Sequence, residues 1–305
     1  MFGWKGFVIV LFVLLCIAVI VVVRITDNKV DKTAIVETAK SGILKVGVEP
    51  SLAGAVKDIV PVFSHYYPDA SVELDSGLFE DLFNGFLRKN IDAMFWSGMP
   101  EGYEVSLLER KKMNYRLEPV ARNAIVCIVN ADNQVPFLTV EELAKIYTAR
   151  KNRWDEEREI RAYLNNKDLR LQRQFLAIAA PAESHLTAWY AESDKELVKL
   201  VAKEPGAVGI MPFSRVTAMM NTGRMSSSFR IVPLCNKRGE TPVTPTQYTV
   251  YRGEYPLDYI VYYMYRKEKA LATGFGAWLA KEGQKSFVRS SLAPYKQPVR
   301  VIKLQ

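Results

Sequence analysis

The chain has 305 residues, 49% hydrophobic and 24% charged, with 41 Lys+Arg against 33 Asp+Glu. That length leaves room for two domains and a sizeable core, and the near-average composition excludes a disordered or collagen-like chain. Three cysteines exclude a small disulfide scaffold.

The first element is an apolar run, Phe7 to Val23, preceded by Gly6 and flanked by Lys5 and Arg24. At 1.5 Å per residue it falls just short of the ~30 Å hydrocarbon core, which predicts a single transmembrane anchor over residues 1–24. Val21-Val22-Val23-Arg24 offers no small-x-small cleavage site, so an uncleaved anchor is favoured over a removed signal peptide. Cys16 follows Leu15 and precedes seven more apolar residues, which argues against a lipoprotein signal. Residues 25–42 are polar and lack a core pattern. They read as a tether of about 60 Å when fully extended.

From Ile43 onward strands alternate with amphipathic helices. ILKVGVE (43–49) reads as a strand; Val56, Ile59, Val60 and Phe63 then mark one buried helix face, with Pro61 predicting a kink or an early end. ASVELDS (70–76) and IDAMFWS (91–97) are the next strands, separated by the stripe Leu78, Phe79, Leu82, Phe83, Phe86, Leu87. Strand–helix–strand–helix–strand predicts a parallel sheet with right-handed crossovers. AIVCIVN (124–130) is a further strand, followed by a helix ELAKIYTAR behind the capping-box spacing Thr139…Glu142. LTAWYAES reads as a helix, LVKLVAKEPG as another opened by Ser193…Glu196, and AVGIMP (207–212), FRIVPL (229–234) and DYIVYYMYR as strands. Two C-terminal helices follow, anchored by Trp278, Leu279 and Phe287. Residues 266–305 carry nine Lys/Arg and two Glu, a basic face suited to solvent, anionic lipid or an acidic partner.

Enzymatic chemistry finds no constellation. His65 and His185 lie far apart, no Cys-x-x-Cys or His-x-x-x-His spacing occurs, and Ser184 and His185 are adjacent rather than facing. No phosphate-cradling glycine loop is present. No cofactor, metal or nucleic-acid partner is expected. The Tyr259, Val261, Tyr263, Tyr265 face reads as packed strand rather than base-stacking platform. Cys127 reads as a buried thiol, with Cys235 its one potential partner in the body.

Three stretches carry a resemblance: RNAIVCIVNADNQVPFLTVEELAKIYTARKNRW (122–154) with Asn152 and Trp154 near its end, KEPGAVGIMPFS (203–214), and LAPYKQPVRVIKL (292–304). Together they resemble the phosphate-type (PstS-like) substrate-binding proteins of bacterial ABC importers, which have the type II periplasmic binding protein fold. The resemblance implies an α/β protein of two lobes, the first from 43–122 plus 242–305 and the second from 123–241. It implies crossover strands near 122–125 and 241–256 and a small anion, phosphate foremost, held in the cleft.

In open α/β sheets ligands sit beyond the carboxyl ends of strands, at helix N-termini with unpaired N–H groups. The candidate ligand residues are therefore Ser51, Ser76 and Gly77, Ser97 and Gly98, Asn123 at the crossover, and Ser184 with His185. Two departures stand out. The family's carboxylate after the third strand is replaced by Ser97-Gly98, and Ala180-Pro-Ala-Glu183-Ser184-His185-Leu186 lacks the arginine and the Ser-Gly-Thr of the second lobe. Glu183 beside an anion would repel it, with Arg122, Arg215 or His185 as compensating groups.

The leading expectation is a membrane-anchored solute-binding protein outside the cytoplasm, partnered by an ABC permease, a small anionic solute, and the bilayer through residues 6–23. The alternative is a ligand-degenerate binding-protein fold acting as a membrane-tethered sensory or interaction module.

Overall fold

The structure, a computed structural model, describes residues 37–221 and 228–297. The apolar run and most of the tether lie outside the described residues. Among those described, no helix is long and apolar enough to cross a membrane.

The first lobe opens with β1 (Gly42–Val48), α1 (Pro50–Tyr66), β2 (Ala70–Ser76), α2 (Phe79–Leu87), β3 (Ala93–Ser97) and α3 (Gly102–Arg110). β1 pairs in parallel with β2 and β3, as the alternating pattern predicts. α1 runs through Pro61 without stopping. Pro61 and Lys57 are both exposed, so the Lys57 carbonyl that proline leaves without its N–H partner can be met by water.

β4 (Tyr115–Asn130) is one strand of 16 residues that serves both lobes. Its first part pairs with β11 (Asp258–Arg266), from Tyr115↔Arg266 to Ala124↔Asp258. Its second part pairs with β8 (Ala207–Pro212) and β9 (Phe229–Val232). The second lobe also holds β5 (Leu138–Thr139), α4 (Val140–Tyr147), β6 (Arg161–Asn165), α5 (Leu169–Ala179), β7 (Trp189–Ala191), α6 (Asp194–Lys203), α7 (Phe213–Asn221) and β10 (Leu234–Cys235). Strand order across the whole sheet is β2-β1-β3-β11-β4-β8-β6-β7. The chain then closes with α8 (Gln247–Arg252), β11, α9 (Ala270–Leu279), α10 (Gln284–Val288) and β12 (Ala293–Pro294).

Local chemistry accounts for the boundaries. Thr139 accepts from Glu142 N while Glu142 reaches back to Thr139 N, both at 3.0 Å, a reciprocal cap of about 1 kcal/mol. Ser193 caps α6 through Glu196 N at 3.2 Å. Trp154 Nε1 donates to Gly206 O at 2.9 Å, so two stretches that carried the resemblance are bound to each other.

The core is split. The larger cluster joins both lobes and includes an aromatic knot in which Phe275 meets Phe63 at 4.7 Å and Tyr263 at 5.4 Å. A second cluster lies under α2, where Trp96 meets Phe79 and Phe83 edge-on at 4.9 and 5.3 Å.

Two expectations are corrected. LTAWYAES is not a helix: Trp189–Ala191 forms β7, a short edge strand paired in parallel with β6, as suits adjacent aromatic residues beside a sheet. FRIVPL is broken at Pro233 into β9 and β10, since proline has no N–H to donate to a ladder. Cys127 and Cys235 are both buried free thiols; burial pushes the Cys127 thiol above its ordinary range.

Candidate functional site

The loops at the carboxyl ends of β1, β3 and β6 meet where the lobes face one another. β1 delivers Glu49 and β3 delivers Ser97, both nearly inaccessible to solvent. Glu49 Oε1 accepts from Ser97 N at 3.1 Å. From the other lobe, α5 begins with Asp168 as N-cap, accepting from Leu171 N at 3.1 Å. Two residues on, the Arg170 side chain reaches across to the first lobe.

Arg170 is 3% exposed, and its guanidinium is committed to the first lobe. Nε donates to Ser97 O at 2.8 Å, Nη2 to Met99 O at 2.6 Å, and Nη1 to Glu104 Oε1 at 2.7 Å and Glu101 Oε1 at 3.3 Å. Its Cζ lies over the Phe79 and Trp96 rings, 5.0 and 5.1 Å from their centroids. A guanidinium bonded in a planar fork and stacked on aromatic faces is held in one geometry. Arg173, one turn further, repeats the crossing by donating to Tyr103 Oη at 2.7 Å and Glu80 Oε1 at 3.0 Å.

What remains between the lobes is a pocket of about 50 Å³ whose walls include Glu49, Ser51, Glu80, Asn165, Lys167, Asp168 and Asp194. Asp194 accepts from Asn165 Nδ2 at 2.7 Å and from Arg215 Nε at 2.8 Å. Burial pushes the Asp168 carboxyl up to about 7. The bond from Leu171 N opposes that rise, the Asp194 and Glu49 charges add to it, and Arg215 opposes it. Burial likewise raises Glu49, against the lowering pull of Arg170. The Tyr259 hydroxyl, on β11 between the lobes, is pushed up by burial and by the Asp168 and Glu49 charges.

Because Asp168 is raised in the folded state, the native protein holds a proton there that the unfolded chain releases. Its contribution to stability is present below about pH 4 and is lost as pH rises toward about 7. Asp168→Asn keeps a capping oxygen and is expected to flatten that slope, read as denaturation midpoints between pH 4 and 8. An unchanged slope would remove Asp168 from this account.

The expected ligand residues divide. Ser51 lines the pocket, and its carbonyl accepts from Ser214 Oγ at 3.0 Å. Ser97 and Gly98 do not line the pocket: Ser97 N–H holds the lining Glu49, while Gly98 has φ +73° and a Cβ there would lie 2.4 Å from Gln174 Nε2, so this position calls for glycine. Asn123 is fully buried at the crossover. Its Oδ1 accepts from Ala124 N and Ser214 N at 2.9 and 3.1 Å, and its Nδ2 donates to Ser214 Oγ at 2.9 Å. These bonds staple α7 to the crossover and leave Asn123 facing protein.

Ser76 is exposed at the end of β2, and the N-cap position of α2 is Leu78, which makes no side-chain cap; Gly77 lies beside Leu82. Ser184 and His185 follow the C-terminal end of α5, whereas the pocket is at its N-terminal end. They are exposed, bond to each other at 3.2 Å, and precede β7 rather than a helix. Glu183 pairs with Arg150, and Arg122 pairs with Asp258, so neither takes the part expected of it in the cleft.

Sequence reasoning missed the residues that matter most here: Asn165, Lys167, Asp168 and Arg170 on β6 and α5. The buried face of α5 is Arg170, Leu171, Gln174 and Phe175, so two of its four inward positions are polar and the apolar period is broken. The available signal was Asp168 placed three residues before Leu171, an N-cap spacing ahead of Leu171 and Phe175.

A two-lobed α/β body whose strand ends converge on an interlobe pocket is the architecture of a substrate-binding protein. The model of the periplasmic-binding-protein (PBP) superfamily domain matches residues 34–282, and the chain belongs to that superfamily. Among solved structures, the chain resembles a protein from Clostridium perfringens described as a phosphate ABC transporter substrate-binding protein, with bound phosphate. That match has TM-score 0.68 and 17% identity, covering 84% of this chain and 100% of that one. An ABC-type phosphate transport receptor from Vibrio cholerae matches with TM-score 0.64 and 16% identity over 82% and 99%. The regulatory domain of OxyR2 from Vibrio vulnificus matches with TM-score 0.53 and 13% identity over 79% and 94%. The fold is thus that of the PstS-like type II binding proteins. No curated protein matches the chain.

Proposed function

We propose that this is a membrane-anchored module outside the cytoplasm, with the substrate-binding-protein fold, whose lobes are held shut by the protein's own side chains. In this reading a membrane partner recognises a permanently closed body. The observation that carries it is the bonding of Arg170. In a ligand-gated protein of this type, a ligand bridging both lobes stabilises the closed state through its differential affinity. Here a cation from the second lobe makes that bridge to Ser97, Met99, Glu101 and Glu104 of the first. The pocket left beside it has Glu49, Glu80, Asp168 and Asp194 in its walls against Lys167 and the already committed Arg170. Each of these carboxylates that is ionised would repel an anion, and the protonation that burial favours at Asp168 and Glu49 supplies no positive charge to attract one, so the balance opposes an anion. No bonds are made or broken in this role.

The conventional reading is a receptor that delivers phosphate or a similar anion to an ABC permease. It is supported by the family and by one local feature: α1 starts at the pocket with Ser51 in its first turn and no side-chain cap on its N–H groups. Calorimetric titration of the protein with phosphate separates the two readings. The closed-module reading expects no binding heat at millimolar phosphate. Saturable heat in that range would overturn it in favour of the carrier.

A further inference from the structure

The basic C-terminal region resolves into a shaped surface. Across the turn from α9 into α10, Lys281, Lys285 and Arg289 recur every four residues and are all exposed, while Gln284 and Phe287 between them are buried. Lys281 lies in the turn ahead of α10, Lys285 within it and Arg289 at its C-cap, so three exposed cations are gathered within nine residues. Val288, 45% exposed, stands beside them. Lys296, also exposed, is brought alongside by its N–H, which donates to Gln284 Oε1 at 2.9 Å. Among the described residues, the ion pairs of this region belong to Arg266 and Lys269 at the other end of α9, with Asp92 and Glu268. Glu282 is the one carboxylate between Lys281 and Arg289 in sequence.

The same helix receives the start of the body. Segment Thr38–Ser41 lies on α9 so closely that a Cβ on Gly274 would stand 1.9 Å from Ala39 O. Gly274 to Lys281 is about 10 Å along a helical rise. The chain from Val23 to Thr38 spans about 50 Å at most, so an anchor in a membrane would keep α9 within reach of that membrane's headgroups.

We infer that the Lys281–Lys285–Arg289 face, with Lys296 and Val288, is a seat for the anionic phospholipid headgroups of the membrane that segment 7–23 enters. Three Lys/Arg close to an anionic surface favour the docked state by on the order of a hundredfold at physiological salt. An exposed apolar side chain beside them suits the headgroup–acyl boundary. Docking would fix which side of the body faces away from the bilayer, and the tether would supply the high local concentration. The inference rests on the reading of residues 1–24 as an anchor.

The test uses the full chain reconstituted into phosphatidylcholine vesicles and into vesicles with added phosphatidylglycerol. Flotation in high salt first reports the anchor: a chain that leaves the vesicles sinks the anchor reading and this inference with it. For a chain that stays, amide hydrogen exchange over residues 281–289 is expected to slow about tenfold or more in the anionic vesicles alone. The protection should vanish at about 0.5 M salt and in Lys281→Glu/Lys285→Glu/Arg289→Glu. Equal exchange in both vesicle types, or protection that survives salt or charge reversal, overturns the lipid seat while leaving the anchor standing. Circular dichroism of the variant guards against misfolding, and Lys281→Gln/Lys285→Gln is the milder second variant, expected to lose part of the protection.

Discussion

Arg170→Met is expected to lower the free energy of unfolding by about 3–5 kcal/mol and to let the lobes part. Methionine keeps much of the side-chain volume between Phe79 and Trp96, so the loss is mainly electrostatic. Glu104, 0% exposed, would be left as a buried charge without its guanidinium, and the Ser97 and Met99 carbonyls would lose their donors. Denaturant titration reads the first effect and the radius of gyration from small-angle scattering reads the second. Adding Glu104→Gln should recover part of the stability without closing the lobes, because it removes the stranded charge and not the missing bridge. A loss under about 1 kcal/mol with an unchanged radius would mean that closure is held elsewhere.

Phe275→Ala is expected to cost a comparable amount, about 3–5 kcal/mol, by a different route. Phe275 is fully buried and packs against Phe63, Tyr263 and Trp278, with ring centroids 4.7, 5.4 and 6.0 Å away. The four rings come from α1, β11 and α9 and make none of the Arg170 bonds, so the vacated volume leaves that bridge in place. Stability should fall while the scattering radius stays at its wild-type value. A radius that grew with Phe275→Ala would show that general destabilisation opens the lobes, and the Arg170→Met result would then lose its meaning as a test of the bridge.

Much of the architecture was written in patterns that depend on near neighbours. The α2 stripe was readable because its inward positions are all apolar, and the α4 and α6 starts because Thr139 and Ser193 sit three residues before a glutamate. The parallel β2-β1-β3 arrangement followed from alternation of elements. The candidate site was only partly legible. Of the expected residues Ser51 lines the pocket, while Ser97, Gly98 and Asn123 do not and are bonded within the protein around it. Arg170 did not announce itself, since a buried arginine on an inward helix face reads as a surface residue until the opposite lobe is in place. Ser184 suggested a cap where no helix follows, because nothing local distinguishes Trp189–Ala191 as an edge strand from one turn of helix. The Glu104 partner could not be inferred from spacing, being 66 residues away in sequence.

β11 sits between β3 and β4, although it follows them by well over a hundred residues. During synthesis β4, β6, β7, β8 and β9 of the second lobe are all available by Val232, so that lobe can assemble early. The first lobe has its three N-terminal strands made long before, yet its sheet stays split until Asp258–Arg266 is added between β3 and β4. Contacts of such long sequence separation form slowly. The early half-sheet therefore presents the open edge of β3, with Met94, Phe95 and Trp96, through most of translation. Aggregation during production should begin at that edge, and a chaperone acting on the nascent chain has its client there.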